Sequence, residues 1–582
     1  MHSKPLLHDP HDFGHGQVMR RSNRGFQVAK ALAAALACLV GCAEPAPPEA
    51  HWFELASHDS GIDFVHQTGA SGQWFMPEMA APGLCLLDFN GDGFLDVYFV
   101  QSGKIDQARG QNPPNRLFES VGGRSWTDVT GAAGVGDRGY GMGCATGDFD
   151  GDGRVDLYVT NLGPNALYRN LGNGRFANET EASGTAGDDW STSAGFADFD
   201  ADGRQDLFVV NYIDWAPHRE IECHNEGSRD YCSPNNYSAP SKDRFLRNLG
   251  DGRFEDASEA SGLAAAFGNG LGLRLADLDA DGDIDAYVAN DGMANQLWIN
   301  DGTGLFTDEA VLRGAALSGT GLPEAGMGIA AADIDADGDE DLLITHLHEE
   351  TNTLYVNLGG AFDDRTAVAG LASPSIGRTG FGTGFADLDN DGLLDLFIAN
   401  GKVKRGVKPS ATPDPYAEAN TLLRGTRSGR FEVVAGAGPV TELPATSRGA
   451  AVGDLDNDGA IDIVVSNRDA PPSVLLNLAG AKHSWITFRA LDQGIEALGA
   501  RIQLEVGGQS MWRTVTTVGS YCSANDPRVH FGLGDADRVE RIVVHWLDGE
   551  RESFGPYGAR AAYELVRGDG SDLVADGQSS SP

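Results

Sequence analysis

The sequence predicts an all-β protein, a seven-bladed β-propeller followed by a small C-terminal β-rich domain. Three observations carry that prediction. A nine-residue pattern, Asp-x-(Asp/Asn)-x-Asp-Gly-x-x-Asp, occurs seven times, starting at Asp88, Asp148, Asp198, Asp277, Asp333, Asp387 and Asp454. Each copy runs into a short β-branched or aromatic segment, such as DVYFV from Asp96 or DLFIA from Asp395, which reads as a buried strand. A further motif, N-x-L-(Tyr/Phe/Trp)-x-N with G-x-G-x-F behind it, then marks a third strand, a tight hairpin and a fourth strand, as in NQLWINDGTGLF from Asn295. Four strands per unit, seven units and spacings of 50 to 79 residues give a propeller.

The first element of each unit is a small, Gly-rich strand, and the nine-residue loop follows it. The loop collects hard oxygen donors at positions 1, 3, 5 and 9, with Gly at 6 for the sharp turn. That donor set suits Ca²⁺, up to seven ions in all. The candidate ligands are Asp88, Asn90, Asp92 and Asp96 in the first loop, then Asp148, Asp150, Asp152 and Asp156 in the second. The third and fourth loops supply Asp198, Asp200, Asp202 and Asp206, and Asp277, Asp279, Asp281 and Asp285. The fifth supplies Asp333, Asp335, Asp337 and Asp341, the sixth Asp387, Asp389, Asp391 and Asp395, and the seventh Asp454, Asp456, Asp458 and Asp462. An EF-hand would need a Glu at position 12 and flanking helices, but Phe99, Val159, Val209, Val288, Ile344, Ile398 and Val465 stand there.

The repeats stop after the third strand of the seventh unit, at 473–477. The missing outer strand is expected from the start of the chain, around Trp52-Phe53-Glu54-Leu55, which would leave no open edge. The boundaries that follow are 51–480 for the propeller and 481–567 for the C-terminal domain. A targeting segment (1–42) and a linker (43–50) come before, and a disordered tail (568–582) comes after.

The 582-residue chain has 84 acidic and 43 basic residues, a net charge of −41. Of the acids, 27 are the aspartates at positions 1, 3, 5 and 9 of the nine-residue loops. Even with seven bound divalent ions the chain stays strongly acidic, which argues against nucleic acid and anionic membrane surfaces as partners. Contact with a membrane is expected only through a lipid anchor. A basic stretch from Met19-Arg20-Arg21 precedes an apolar segment, 31–40, too short to span a bilayer. Met19 begins a better-formed signal than Met1. The segment ends in Leu39-Val40-Gly41-Cys42, which resembles a bacterial lipobox with Cys42 as the lipidated residue; an ordinary cleaved signal peptide is the alternative. Ala43 after the cysteine, where Asp is absent, implies the outer membrane or cell surface. In that oxidising setting Cys223 and Cys232 are expected to form a disulfide. A Cys/His metal site with His224 would lack ligands. Cys85 and Cys144 read as small buried apolar residues, and Cys522 is left over.

From Lys482 the chain reads KHSWITFRAL, LGARIQLEV, VGSYCSANDPRVHFGLG and VERIVVHWLDG, alternating strands with turns. Gly499-Ala500-Arg501, His530-Phe531-Gly532-Leu533-Gly534 and Val544-His545-Trp546-Leu547-Asp548-Gly549 resemble the ASPIC/UnbV domain. Arg448-Gly449-Ala450 and Glu350-Thr351-Asn352-Thr353-Leu354-Tyr355 extend the resemblance to bacterial relatives of the cartilage acidic protein family, over about residues 50–567. Leu547 departs from that pattern, where the family usually has Pro. The resemblance implies FG-GAP/VCBS-type repeats in a seven-bladed propeller with integrin-like metal loops. Animal members are secreted matrix proteins, and some bacterial members are encoded with natural-product pathways.

Loops joining strands one and two all fall on one face of a propeller, so the metals share a face. Insertions at 212–243 and 401–419 join strands two and three, and therefore decorate the opposite face. Thirteen residues after each loop start stands Gln101, Asn161, Asn211, Asn290, His346, Asn400 or Asn467. This ring reads either as turn chemistry or as a ring of polar ligands. His346, His348 and Glu350 would share a strand face and form a candidate ligand face. The expected function is a surface-anchored, calcium-binding propeller that binds a protein or glycan through the decorated face. The alternative is a periplasmic or surface enzyme at the propeller mouth, linked to natural-product metabolism. No nucleophile–base set or phosphate loop is recognisable, so no catalytic residue is assigned.

Overall fold

The computed structural model describes residues 51–573, apart from 57–59, 109, 226 and 406–412. The targeting segment with Cys42, the linker 43–50 and most of the tail lie outside the described residues. Among the described residues no helix is long and apolar enough to cross a membrane.

The fold is all-β. Seven antiparallel sheets carry the seven Asp loops, and each loop joins the first strand of its sheet to the second. In the Asp277 sheet, Gly270–Ala276, Asp285–Asn290, Gln296–Asn300 and Phe306–Asp308 pair in chain order. The second strand, DAYVAN, is buried at every position, which is why it reads as an unbroken apolar run rather than an alternating one. The first strands neighbour one another in a closed cycle: Leu84–Leu87, Tyr140–Gly147, Ser191–Ala197, Gly270–Ala276, Ile329–Ala332, Gly380–Ala386, Ser447–Gly453 and back to Leu84–Leu87. The Asp454 sheet takes its fourth strand from the chain start, as expected. Phe53 lies opposite Asn477 and Leu55 opposite Leu475. Phe53 is fully buried and packs with Leu475 and Ala437.

The last Asn of N-x-L-aromatic-x-N fastens neighbouring sheets. The backbone N–H of Asn300 donates to Asp285 Oδ1 at 2.9 Å. Its Nδ2 donates to the Phe199 carbonyl, in the preceding loop, at 2.8 Å. Asn170, Asn248, Asn357 and Asn477 reach back in the same way to Phe89, Phe149, Leu278 and Leu388.

The C-terminal domain packs two sheets around Ile486, Phe488, Ile502, Phe531 and Val544. Its order runs past the expected end at Arg567. Ser571–Asp572 pairs with the Arg551–Phe554 strand, and the Gly568 N–H donates to Glu552 at 2.9 Å to shape the turn between.

Residues 516–527 of this span leave the domain and fill the centre of the ring, touching all seven first strands. Ala524 bridges to Cys85, and Cys144 N donates to Cys522 O at 3.3 Å. Cys522 N donates to Ser193 Oγ at 3.2 Å and Arg274 Nη1 donates to Val518 O at 2.8 Å. Ile329 N donates to Ser520 O at 3.0 Å, Thr383 N to Ser520 Oγ at 3.0 Å and Val452 N to Asn525 Oδ1 at 3.0 Å. The Gly-rich first strands have their cause here: a Cβ at Gly143 would lie 2.6 Å from Cys522 O. From the other side the short helix Pro77–Ala80 meets this segment, where Tyr521 Oη donates to Ala80 O at 2.8 Å. Cys85 and Cys144 are not the separate apolar fillers the sequence suggested. They stand on adjacent first strands with Cα atoms 6.0 Å apart and form a disulfide. Cys522 is a free, buried thiol.

Candidate metal centres and the opposite face

Each Asp loop is held by its own backbone before any ion is considered. In the sixth loop, Asp387 accepts the Asp391 N–H at 3.0 Å on one oxygen and the Gly392 N–H at 2.7 Å on the other. Asp395 accepts Leu388 N at 3.0 Å and Gly425 N at 2.9 Å, tying the loop to the third strand. Between them Asp389 is only 8 % exposed. Its Oδ2 pairs with Arg424 at 2.6 Å, while its Oδ1 is buried without a partner. The corresponding Oδ1 atoms of Asp200, Asp279 and Asp456 are orphaned in the same way. Their outer oxygens face Arg247, Arg313 and Arg124 at 3.1, 2.8 and 2.7 Å.

Positions 1, 3 and 9 are thereby gathered. In the loops beginning at Asp148, Asp198, Asp277, Asp333 and Asp387, one carboxylate oxygen from each lies within 4.8 Å of the other two. These clusters could hold metal ions. Position 5 stands outside the five triads. Asp391 Oδ1 accepts the Leu393 N–H at 3.0 Å, and Asp152 and Asp202 turn toward Arg154 and Arg204. Burial pushes the position-9 carboxyls of Asp96, Asp156, Asp285 and Asp341 up to about 8, and the neighbouring aspartates push in the same direction. Buried anions with orphaned oxygens are costly unless a cation compensates them, so the donor set fits a hard divalent ion.

The arginines are the part of this site that sequence reasoning missed. Arg169, Arg247 and Arg424 occupy the x before the last residue of the third-strand motif, and each reaches the position-3 Asp of its own loop. The first loop exchanges the pair: Asn90 replaces Asp, Glu119 replaces Arg, and Asn90 Nδ2 donates to Glu119 Oε1 at 3.0 Å.

On the opposite face the two insertions meet. Arg405 N donates to Asp230 Oδ2 at 2.9 Å, Tyr416 Oη to Asp230 Oδ1 at 3.1 Å, and Asn225 Nδ2 to Arg405 O at 3.0 Å. Cys223 and Cys232 form the expected disulfide. The Arg405 guanidinium lies 4.4 Å from the Trp74 ring, and Arg468 lies 4.7 Å from Tyr416 and 5.6 Å from Tyr231. Tyr231 Oη donates to the buried Glu78 at 3.0 Å.

The ring of Asn residues performs turn chemistry. Asn161, Asn290, Asn400 and Asn467 donate to the carbonyls of Pro164, Ala294, Ala419 and Pro471, and Asn211 donates to Lys242 O. Gln101 donates to Val65 O. His346 fills the same place: Nδ1 lies 2.9 Å from the Thr351 carbonyl, which can only accept, and its backbone N–H donates to Asn352 Oδ1 at 2.9 Å. Burial lowers this imidazole to about 4, so it is neutral. His346, His348 and Glu350 do not share a strand face as the alternation suggested. The strand ends at Ile344; beyond it His348 is exposed and Glu350 accepts the Ala325 N–H at 3.0 Å.

The fold and loops define a class of protein: an all-β chain of FG-GAP-like repeats joined to an ASPIC and UnbV domain. The FG-GAP-like repeat family matches residues 88–159, 148–209, 277–344 and 333–398, and the ASPIC and UnbV family matches 492–572. Among individual proteins the chain is similar to cartilage acidic protein 1. It is 29 % identical to the Xenopus tropicalis protein over 308 residues, 50 % of this chain and 44 % of that one. To the human protein it is 26 % identical over 312 residues, 51 % of this chain and 44 % of that one. The match thus spans less than half the length of these relatives. Among solved structures, an Agrocybe aegerita lectin that recognises non-reducing terminal N-acetylglucosamine aligns with 69 % of this chain and 96 % of its own at 15 % identity, with a TM-score of 0.36.

Proposed function

We propose that this chain is a calcium-stabilised seven-bladed β-propeller, anchored at the cell surface through Cys42, that binds a protein or glycan partner on the face opposite its metal loops. The observation that carries the binding reading is the convergence of the 212–243 and 401–419 insertions on Asp230, beside Trp74, Tyr231 and Tyr416. Long loops on a rigid scaffold, one stiffened by a disulfide, give a surface that loses little entropy on binding. The orphaned oxygens of Asp200, Asp279, Asp389 and Asp456 support calcium as the structural ion, because each is a hard donor buried with nothing else to bind. Seven sheets in a closed cycle support the blade count. The ASPIC/UnbV-like domain is taken as 481–567, continued to Asp572 by its edge strand.

Binding is tested by presenting the immobilised chain, with calcium, to a glycan array and to extracellular matrix and cell-surface proteins. Shortening either insertion is expected to weaken capture at least tenfold and leave the calcium-dependent part of the stability intact. Capture that survives both deletions and is lost instead on altering the metal-loop face would overturn the assignment. Cys42→Ala is expected to abolish lipid labelling and membrane anchoring; labelling that persists would remove the lipobox from the reading.

A further inference from the structure

The metal-loop face is the seat of the C-terminal domain. At the seventh loop, Arg528 donates to the Asp454 carbonyl at 3.0 Å and to Asn457 Oδ1 at 2.8 Å, and His530 Nε2 lies 3.2 Å from the Gly459 carbonyl. Trp485 lies so close to Gly459 that an added Cβ would stand 1.7 Å from its ring. At the sixth loop, His483 Nδ1 lies 2.8 Å from the Asp389 carbonyl and the Gly534 N–H donates to the Asn390 carbonyl at 2.9 Å. Nearly all of these acceptors are loop carbonyls, so the contacts exist only for one loop shape. At the sixth loop that shape gathers the carboxylates of positions 1, 3 and 9, and at the seventh Asp454 stands among Asp456 and Asp458; such groups repel one another unless a cation lies among them.

We propose that metal occupancy of the Asp387 and Asp454 loops and docking of the C-terminal domain are thermodynamically linked, so that each strengthens the other. The inference rests on the calcium reading above and adds a consequence for the domain interface. Two cations of the domain oppose it. Arg513 lies near both Asp333 and Asp387, Arg528 lies near Asp454, and each could partly replace an ion in the metal-free chain. The geometry decides the sign. Arg513 is shared between two loops of at least four aspartates each, Arg528 already pairs with Asp526 at 2.9 Å, and a loop holding one divalent ion is still anionic and still attracts either guanidinium. The carbonyl contacts, by contrast, are lost as soon as the loop opens. The linkage also gives the segment 516–527 a role: it keeps the undocked domain tethered in the ring centre, so loosening need not be dissociation.

The test measures hydrogen exchange of the whole chain in calcium and in EDTA, together with calcium titration of the wild type and of His483→Ala/Arg528→Met. Both changed residues lie outside the loops. The expected result is at least tenfold faster exchange in EDTA across Ser484–Asp492 and Val529–Gly534. By reciprocity the double variant binds calcium severalfold more weakly at two sites while its circular dichroism is unchanged. Should that variant misfold, His483→Ala alone carries the affinity arm. Calcium binding with equal affinity in wild type and variant, and exchange unaffected by EDTA, would overturn the linkage and leave the calcium reading standing. No calcium binding at all would remove both.

Discussion

The Asn that closes each N-x-L-aromatic-x-N motif has two roles. Asn300 gives its backbone N–H to the buried Asp285 and its side-chain amide to the carbonyl of Phe199 in the preceding loop. Asn300→Ala keeps the first bond but leaves the Phe199 and Ile284 carbonyls and the Gly304 N–H each short of a partner, so it is expected to cost at least about 1–3 kcal/mol, read by urea unfolding. An unchanged midpoint would show that the inter-sheet tie is not a stabilising contact. His346 is a residue-scale lesson of another kind. Its sibling positions carry Asn or Gln, and it makes the sibling bond, Nδ1 to the Thr351 carbonyl. His346→Asn is therefore expected to cost less than His346→Leu, which strands that carbonyl at about 1–3 kcal/mol. A larger loss for Asn than for Leu would show that the imidazole has a role beyond the turn.

At the scale of elements, ring closure depends on three residues. Phe53–Leu55 completes the Asp454 sheet, and Phe53 is fully buried there. Deleting 51–56 exposes the Ser473–Asn477 edge and removes that aromatic from the core, which costs about 3–5 kcal/mol for the Phe alone. A clear fall in unfolding temperature and a rise in aggregation are expected, both followed by light scattering during a thermal ramp. Identical traces would mean the ring closes without this strand. The closure strand was legible in the sequence because the repeat arithmetic left one strand short, and the loops were legible because seven copies repeat the same donors. The filling of the ring by 516–527 was not legible. Nothing in VGSYCSANDP distinguishes a segment buried in another domain from a loop of its own. Its trace is in the partner instead, in first strands kept small at positions such as Gly83 and Gly143, where a Cβ would meet Cys522 O. The Cys85–Cys144 bond was hidden for a related reason: strand adjacency across two sheets is a property of the ring, not of either repeat. The arginines facing position 3 were present in the motif but had no visible partner until the loop folded back on the third strand.

For the whole molecule the decisive quantity is the number of buried aspartates held without compensating charge. Every sheet contributes a position-9 carboxyl that is at most 2 % exposed, and in five loops the triad is drawn together within 4.8 Å. Ion binding to the folded chain alone stabilises it by mass action, about 2.7 kcal/mol per site when the free ion is a hundredfold above its dissociation constant. Several equivalent sites add, and they act on a closed ring in which five of the seven sheets are tied to a neighbour by an Asn side chain. Chelation is therefore expected to lower the unfolding temperature by several degrees, with recovery on adding back Ca²⁺. Magnesium should recover less, because it demands a tighter octahedral shell than these loops offer. Asp389→Ala removes one orphaned oxygen and one site, so its effect should be a fraction of that of EDTA and should vanish in EDTA, where the site is already empty. This last comparison is the discriminating one. If the Asp389→Ala penalty is the same with and without chelator, the aspartate acts through Arg424 rather than through an ion. Superimposable wild-type melting curves in Ca²⁺ and in EDTA would end the calcium reading for the molecule as a whole.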